Sequence, residues 1–134
     1  MAYADPITVD NASNVVTNFS RTLIALGESH YVNGASSPAE PEGLIIKHQV
    51  SGKGADQVDR HLVQYYHTEI NADGKPRVAV INLTIAVPRD TIITEEMVAN
   101  GVANLFDFIS TGQFAAAGDP LELQYLQKLL RGET

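Results

Sequence analysis

The sequence predicts an α+β protein: about six or seven strands, mostly in antiparallel hairpins, followed by two C-terminal helices. Three observations predict it. β-branched and apolar runs fill the first two-thirds of the chain, with a period of two in Leu44 to Ser51 and Arg77 to Val87. Glycine-containing turns punctuate those stretches. After Pro88 the apolar period changes to that of a helix, and it keeps that period to the end.

The 134 residues suit one domain, 1–134. Within it, 1–32 reads as N-terminal strands, 44–87 as the main sheet and 94–131 as two helices. Ile7-Thr8-Val9 is followed by the turn formers Asp10-Asn11-Ala12-Ser13-Asn14, and Val15 to Leu26 returns as a strand ending at Gly27. His30-Tyr31-Val32 makes a further short strand. Asn33 to Gly43, with Pro38 and Pro41, reads as a surface loop.

Leu44 to Val50 alternates usefully. Leu44, Ile46, His48 and Val50 share one face; Ile45, Lys47, Gln49 and Ser51 share the other. Ser51 to Asp56 turns the chain into a long strand, Arg60 to Ile70. Asn71-Ala72-Asp73-Gly74 closes a hairpin, because Asp-Gly readily adopts the backbone of tight turns. In Arg77 to Val87, Ala79, Ile81, Leu83, Ile85 and Val87 line one face, and Val78, Val80, Asn82 and Thr84 the other.

Thr94-Glu95-Glu96 is a helix start, a hydroxyl cap with two acids in the first turn. Val98, Val102, Leu105, Phe106 and Ile109 form one apolar stripe, and Gly112 is the expected stop. Asp119-Pro120-Leu121-Glu122 starts the second helix. Leu123, Leu126, Leu129 and Leu130 carry its stripe to Gly132.

Composition narrows the function. With no cysteine, disulfides and thiolate metal sites are excluded. No apolar run approaches the ~18 residues of a membrane span, and Met1 to Pro6 lacks the basic and apolar parts of a secretory signal. The net charge of −7 is unevenly spread. Residues 43–89 hold six basic and four acidic residues, a balance of +2, whereas the remainder holds three basic and twelve acidic, a balance of −9. That pattern suits a protein with two chemically different faces.

Four histidines raise the question of metal. His61 and His67 lie roughly 20 Å apart along one strand face, too far to share an ion. His48 is placed to neighbour His61 across a hairpin, but no compact His/carboxylate motif accompanies them. The expectation is no metal and no cofactor. Catalysis is not expected either: Ser51 and His48 point to opposite faces, and neither a nucleophile elbow nor a phosphate-binding loop is present.

The order of elements, together with Ile46-Lys47-His48-Gln49-Val50, Asp59-Arg60-His61-Leu62-Val63 and Ile81-Asn82-Leu83-Thr84-Ile85 leading into the Thr94 helix, resembles the coat proteins of levivirus-like single-stranded RNA bacteriophages. The resemblance covers nearly the whole chain. It implies an N-terminal β-hairpin, a five-stranded antiparallel sheet and two C-terminal helices, an interlocked homodimer whose helices cross the partner's sheet, an icosahedral shell in the virion, assembly in the bacterial host cytoplasm, and genomic RNA on the inner sheet face. Carried over, the RNA face comprises Lys47, Gln49 and Ser51, then Arg60, Gln64 and Tyr66, then Asn82 and Thr84. Val98, Val102, Leu105, Phe106 and Ile109 become the dimer interface. The rival reading is a non-viral dimeric α+β module that binds a ligand or peptide; a small enzyme of similar layout is a third.

Overall fold

A computed structural model describes residues 3–11, 15–109 and 124–133. The chain divides into two compact units, Met1–Val9 with Thr17–Asp90, and Asp10–Val16 with Thr91–Thr134.

The first unit is built on a sheet. Strands β1 (Ile7–Asp10), β2 (Val16–Ala25), β3 (Glu28–Asn33), β4 (Glu42–Ser51), β5 (Val58–Ile70) and β6 (Pro76–Pro88) lie side by side in sequence order. The sheet has six strands, within the six or seven read from the sequence and one more than the resemblance implies, and the N-terminal hairpin is part of it. The reason is local. Leu26-Gly27 closes a two-residue turn, so β3 runs back along β2 from the pair Ala25–Glu28 onward. One irregularity, between Arg21 and Leu23, offsets this ladder.

The long hairpins follow the expected turns. Asn71 Oδ1 accepts hydrogen bonds from the amides of Asp73 at 3.1 Å and Lys75 at 2.9 Å. The Gly74 amide donates to Asn71 O at 2.9 Å and completes the β5–β6 turn. The loop between β3 and β4 is tied down at the far end of β5. There Pro41 O accepts from the Thr68 amide at 3.2 Å and Glu40 Oε1 from the Ile70 amide at 3.0 Å. These bonds continue the ladder past the start of β4 and satisfy amides that would otherwise lack partners.

Residues paired across strands share a face. On one face Phe19, Tyr31 and Ile46 are buried, and Ile7, Leu44 and Tyr65 pack against them. Polar atoms inside this cluster are satisfied: Tyr31 Oη accepts from Arg21 Nε at 3.3 Å, and Tyr65 Oη donates to Glu42 Oε1 at 2.6 Å. Further along the same face, toward β6, apolar side chains stay uncovered: Val63 is 40% exposed and Ile81 62%. The opposite face is polar and is described below.

The second unit holds the tip of the β1–β2 hairpin, where the Asn11 amide donates to Val15 O at 3.0 Å, and two helices. Helix α1 spans Glu95–Ile109. Thr94 caps it as expected: its Oγ1 accepts from the Met97 amide at 3.3 Å. Helix α2 spans Gln124–Leu130. It ends at Gly132, whose φ of 75° permits the reversal in which the Glu133 amide reaches Lys128 O at 3.0 Å and the Gly132 amide reaches Leu129 O at 2.9 Å. The expected stop at Gly112, the start at Asp119 to Glu122 and the stripe position Leu123 lie outside the described residues.

Candidate nucleic-acid interface

The polar sheet face is assembled by register. Three cross-strand rows cover most of it: Glu28–Lys47–Leu62–Thr84, then His30–Ile45–Gln64–Asn82, then Gln49–Arg60–Ala86. Ser51 pairs with Val58 at one end, and Gly43, Tyr66 and Val80 form a row at the other. All eight residues singled out from the sequence (Lys47, Gln49, Ser51, Arg60, Gln64, Tyr66, Asn82 and Thr84) are thus on one face of three adjacent strands.

Several of them are held in place by one another. Arg60 Nε donates to Ser51 Oγ at 3.0 Å, and Gln64 Nε2 to Asn82 Oδ1 at 2.8 Å. The Gln64–Asn82 pair leaves a carboxamide acceptor on one residue and a donor on the other for a ligand. Tyr66 lies against its cross-strand neighbour Gly43: a Cβ on that glycine would come 2.4 Å from Tyr66 Oη. Gly43 thus gives the ring its seat, and the cross-strand contact accounts for its placement.

Electrostatically, the face is only mildly basic. Across β3–β6 its cations are Lys47 and Arg60, and its one carboxylate is Glu28. Lys47 Nζ is 3.1 Å from Glu28 Oε1, which also meets Nε2 of His30. Hydrogen bonds from His30 first and Lys47 second hold the Glu28 carboxyl below the usual carboxylate range. The sequence reading missed Glu28 and His30 as part of this face. Alternation back from Val32 puts His30 and Glu28 on one side of β3, but nothing local tells that this side adjoins Lys47.

Arg89 belongs elsewhere. Its Nε lies 3.0 Å from each Asp59 carboxylate oxygen and its Nη1 3.1 Å from Gln57 Oε1. Asp59 pairs with Val50 and Val87, so this ion pair marks the other face.

The histidine pair also sits on that other face. His48 and His61 are cross-strand partners with Nδ1 atoms 2.8 Å apart, so one ring donates to the other. No group of three or more potential metal ligands occurs among the described residues. No helix among them is long and apolar enough to cross a membrane.

On α1 the expected stripe is incompletely covered. Val98, Val102 and Ile109 are half-buried, Leu105 is 55% and Phe106 40% exposed, and no residue of the helix is fully buried.

No family model matches the chain, and no curated protein matches it. Solved structures do. The coat protein of bacteriophage EMS014 superposes with a TM-score of 0.71 at 15% identity, over 98% of this chain and 98% of that one. A virus-like particle of bacteriophage AVE015 gives a TM-score of 0.58 at 14% identity, over 98% of this chain and 88% of the other. A virus-like particle of bacteriophage EMS014 gives 0.55 at 16% identity, over 92% and 84%. With near-complete coverage of both chains in the EMS014 coat protein match, the fold of this chain is that of bacteriophage coat proteins.

Proposed function

We propose that this chain is a coat protein of a single-stranded RNA bacteriophage, working by self-assembly rather than turnover. Two copies pair, pairs build an icosahedral shell in the host cytoplasm, and the polar sheet face holds genomic RNA inside the virion. Besides the likeness to coat proteins and virus-like particles, one observation carries the reading: the free edge of β6. The strand is the last in the sheet, spans Pro76–Pro88, and has no charged residue between Arg77 and Arg89. Such an edge offers unpaired backbone groups and lacks the charges that keep strands apart. A second copy satisfies it and joins two polar faces into one surface.

The α1 stripe of Val98, Val102, Leu105, Phe106 and Ile109 then has an acceptor in the partner's uncovered apolar face around Val63 and Ile81. Folding and dimerisation are one event in this scheme, since so little of each copy's apolar surface is buried alone.

On the polar face, Lys47 and Arg60 supply phosphate contacts. Gln49, Ser51, Gln64, Asn82 and Thr84 offer hydrogen bonds to unpaired bases, and Tyr66 a ring beside them. The binding-module alternative has less to stand on. One cavity among the described residues, beside Tyr3, Ile24, Tyr31 and His48, is about 150 Å³, smaller than the ~300 Å³ at which small-molecule pockets begin.

Electron microscopy of the purified protein, with its ultraviolet spectrum before and after nuclease, tests the reading. Uniform hollow particles with protected nucleic acid are expected. A free dimer of ordinary size without nucleic acid would overturn it in favour of a binding module.

A further inference from the structure

We propose that Glu28 is a built-in competitor for RNA phosphate at Lys47, which keeps the grip of the polar face weak and reversible. The inference rests on the reading of that face as the RNA surface and adds a regulator to it.

The observation is geometric. Lys47 stands in one cross-strand row with Glu28, and its ammonium is 3.1 Å from the Glu28 carboxylate. Glu28 is in turn fixed by its contact with His30, two residues along the same strand and on the same face. Of the two cations on the polar face of β3–β6, one therefore already has an anionic partner of the protein's own. Arg60 bonds a neutral hydroxyl instead.

An ion pair with side chains 46% and 31% exposed is held weakly, because water screens it. A phosphodiester can therefore exchange with the carboxylate, but it must do so against a local anion. Lys47 gives up one partner to gain another, and the displaced carboxylate remains nearby to repel the strand. Counting Lys47, Arg60 and Glu28, the face carries a net charge of +1, and it would carry +2 without the carboxylate. A glutamate here lowers affinity without removing a contact, in the manner of negative charge placed against an unwanted tight complex.

The test compares wild type, E28Q, K47Q, R60Q and the double variant E28Q/K47Q for binding a labelled oligouridylate across a salt series. Glutamine keeps the length of Glu28 and one acceptor oxygen toward His30 and Lys47 while removing the charge. E28Q is expected to bind about three- to tenfold tighter at low salt. Its plot of log K against log salt should be steeper by up to about 0.7, because the phosphate met by Lys47 is no longer offset by a displaced carboxylate. In the K47Q background the gain should shrink to less than about twofold.

Coincident curves for wild type and E28Q, with K47Q weakened, would overturn the proposal and leave the RNA surface standing. An equal gain from E28Q with and without Lys47 would also overturn it, since it would mean general charge repulsion rather than competition at one lysine. If neither K47Q nor R60Q weakens binding, the RNA surface itself is wrong and the proposal falls with it.

Discussion

Substituting Gly43 by alanine tests how closely β3, β4 and β5 are fitted together. Gly43 is buried, and its place in β4 faces Tyr66 on β5 and Val32 on β3. The added methyl would lie 2.4 Å from Tyr66 Oη, 2.6 Å from Tyr66 Cζ and 2.6 Å from Tyr31 O. The first two contacts belong to the far end of a side chain and can be relieved by swinging the ring. The third is backbone, on a residue only 1% exposed and at the centre of the core. Relief there requires β3 and β4 to part, so core contacts weaken as well. Overpacking of this kind costs about 1–3 kcal/mol. Less than about 1 kcal/mol comes back from the reduced freedom of the unfolded chain.

Urea denaturation at fixed protein concentration measures the result. With a slope of about 1–3 kcal/mol/M, a net loss near 2 kcal/mol moves the midpoint down by about 1 M. Adding Tyr66→Ala removes the side-chain contacts but not the clash with Tyr31 O, so it should not restore the midpoint. A Gly43→Ala midpoint within about 0.2 M of wild type, or full recovery in the double variant, would show that the strands have more slack than described.

Other outcomes follow from single contacts. Thr94→Ala removes the acceptor of the Met97 amide and should cost about 0.5–2 kcal/mol, read as a lower thermal midpoint in far-ultraviolet circular dichroism. Burial alone would raise the Glu42 carboxyl, but hydrogen bonds from Tyr65 and Asn33 outweigh it and hold the group below the usual carboxylate range. Its contribution is thus present above the unfolded pKa and lost as pH falls through the folded one, and Glu42→Gln should flatten the acid limb of a stability–pH profile. Burial, then Glu42, pushes the Tyr65 phenol up to about 12. That stabilisation is complete below the ordinary tyrosine pKa near 10 and disappears as pH rises from there through the folded value. Tyr65→Phe should abolish this alkaline loss, and an unchanged alkaline limb would contradict the assignment.

Much of this was legible in the chain itself. Strict alternation in Leu44 to Ser51 and in Arg77 to Val87 assigned faces correctly, because a half-buried strand has only two sides. The cap at Thr94 and the turn at Asn71 to Gly74 were readable for the same local reason, since each is made by side chains and backbone within a few residues. The strand count was legible too, as β stretches separated by turn formers, but that the N-terminal hairpin joins the same sheet was not, because pairing is set by register between segments. Glu28 was missed for a related reason. Its meaning comes from standing opposite Lys47, a register set by the whole β3–β4 hairpin. Tyr66 read ambiguously between packing and binding, and its seat on Gly43 shows that the first role is met whatever the second.

The strict sequence order of the strands has a consequence for how the protein is made. Every neighbour in the sheet is also the next segment to leave the ribosome, so each hairpin can zip onto the last without waiting for distant chain, and closure of long loops never limits the rate. The strand that completes the sheet is also its final free edge. A growing polypeptide therefore exposes a series of temporary edges, each capped within a few dozen residues of synthesis, and ends with the short β1 at one side of the sheet and β6 at the other.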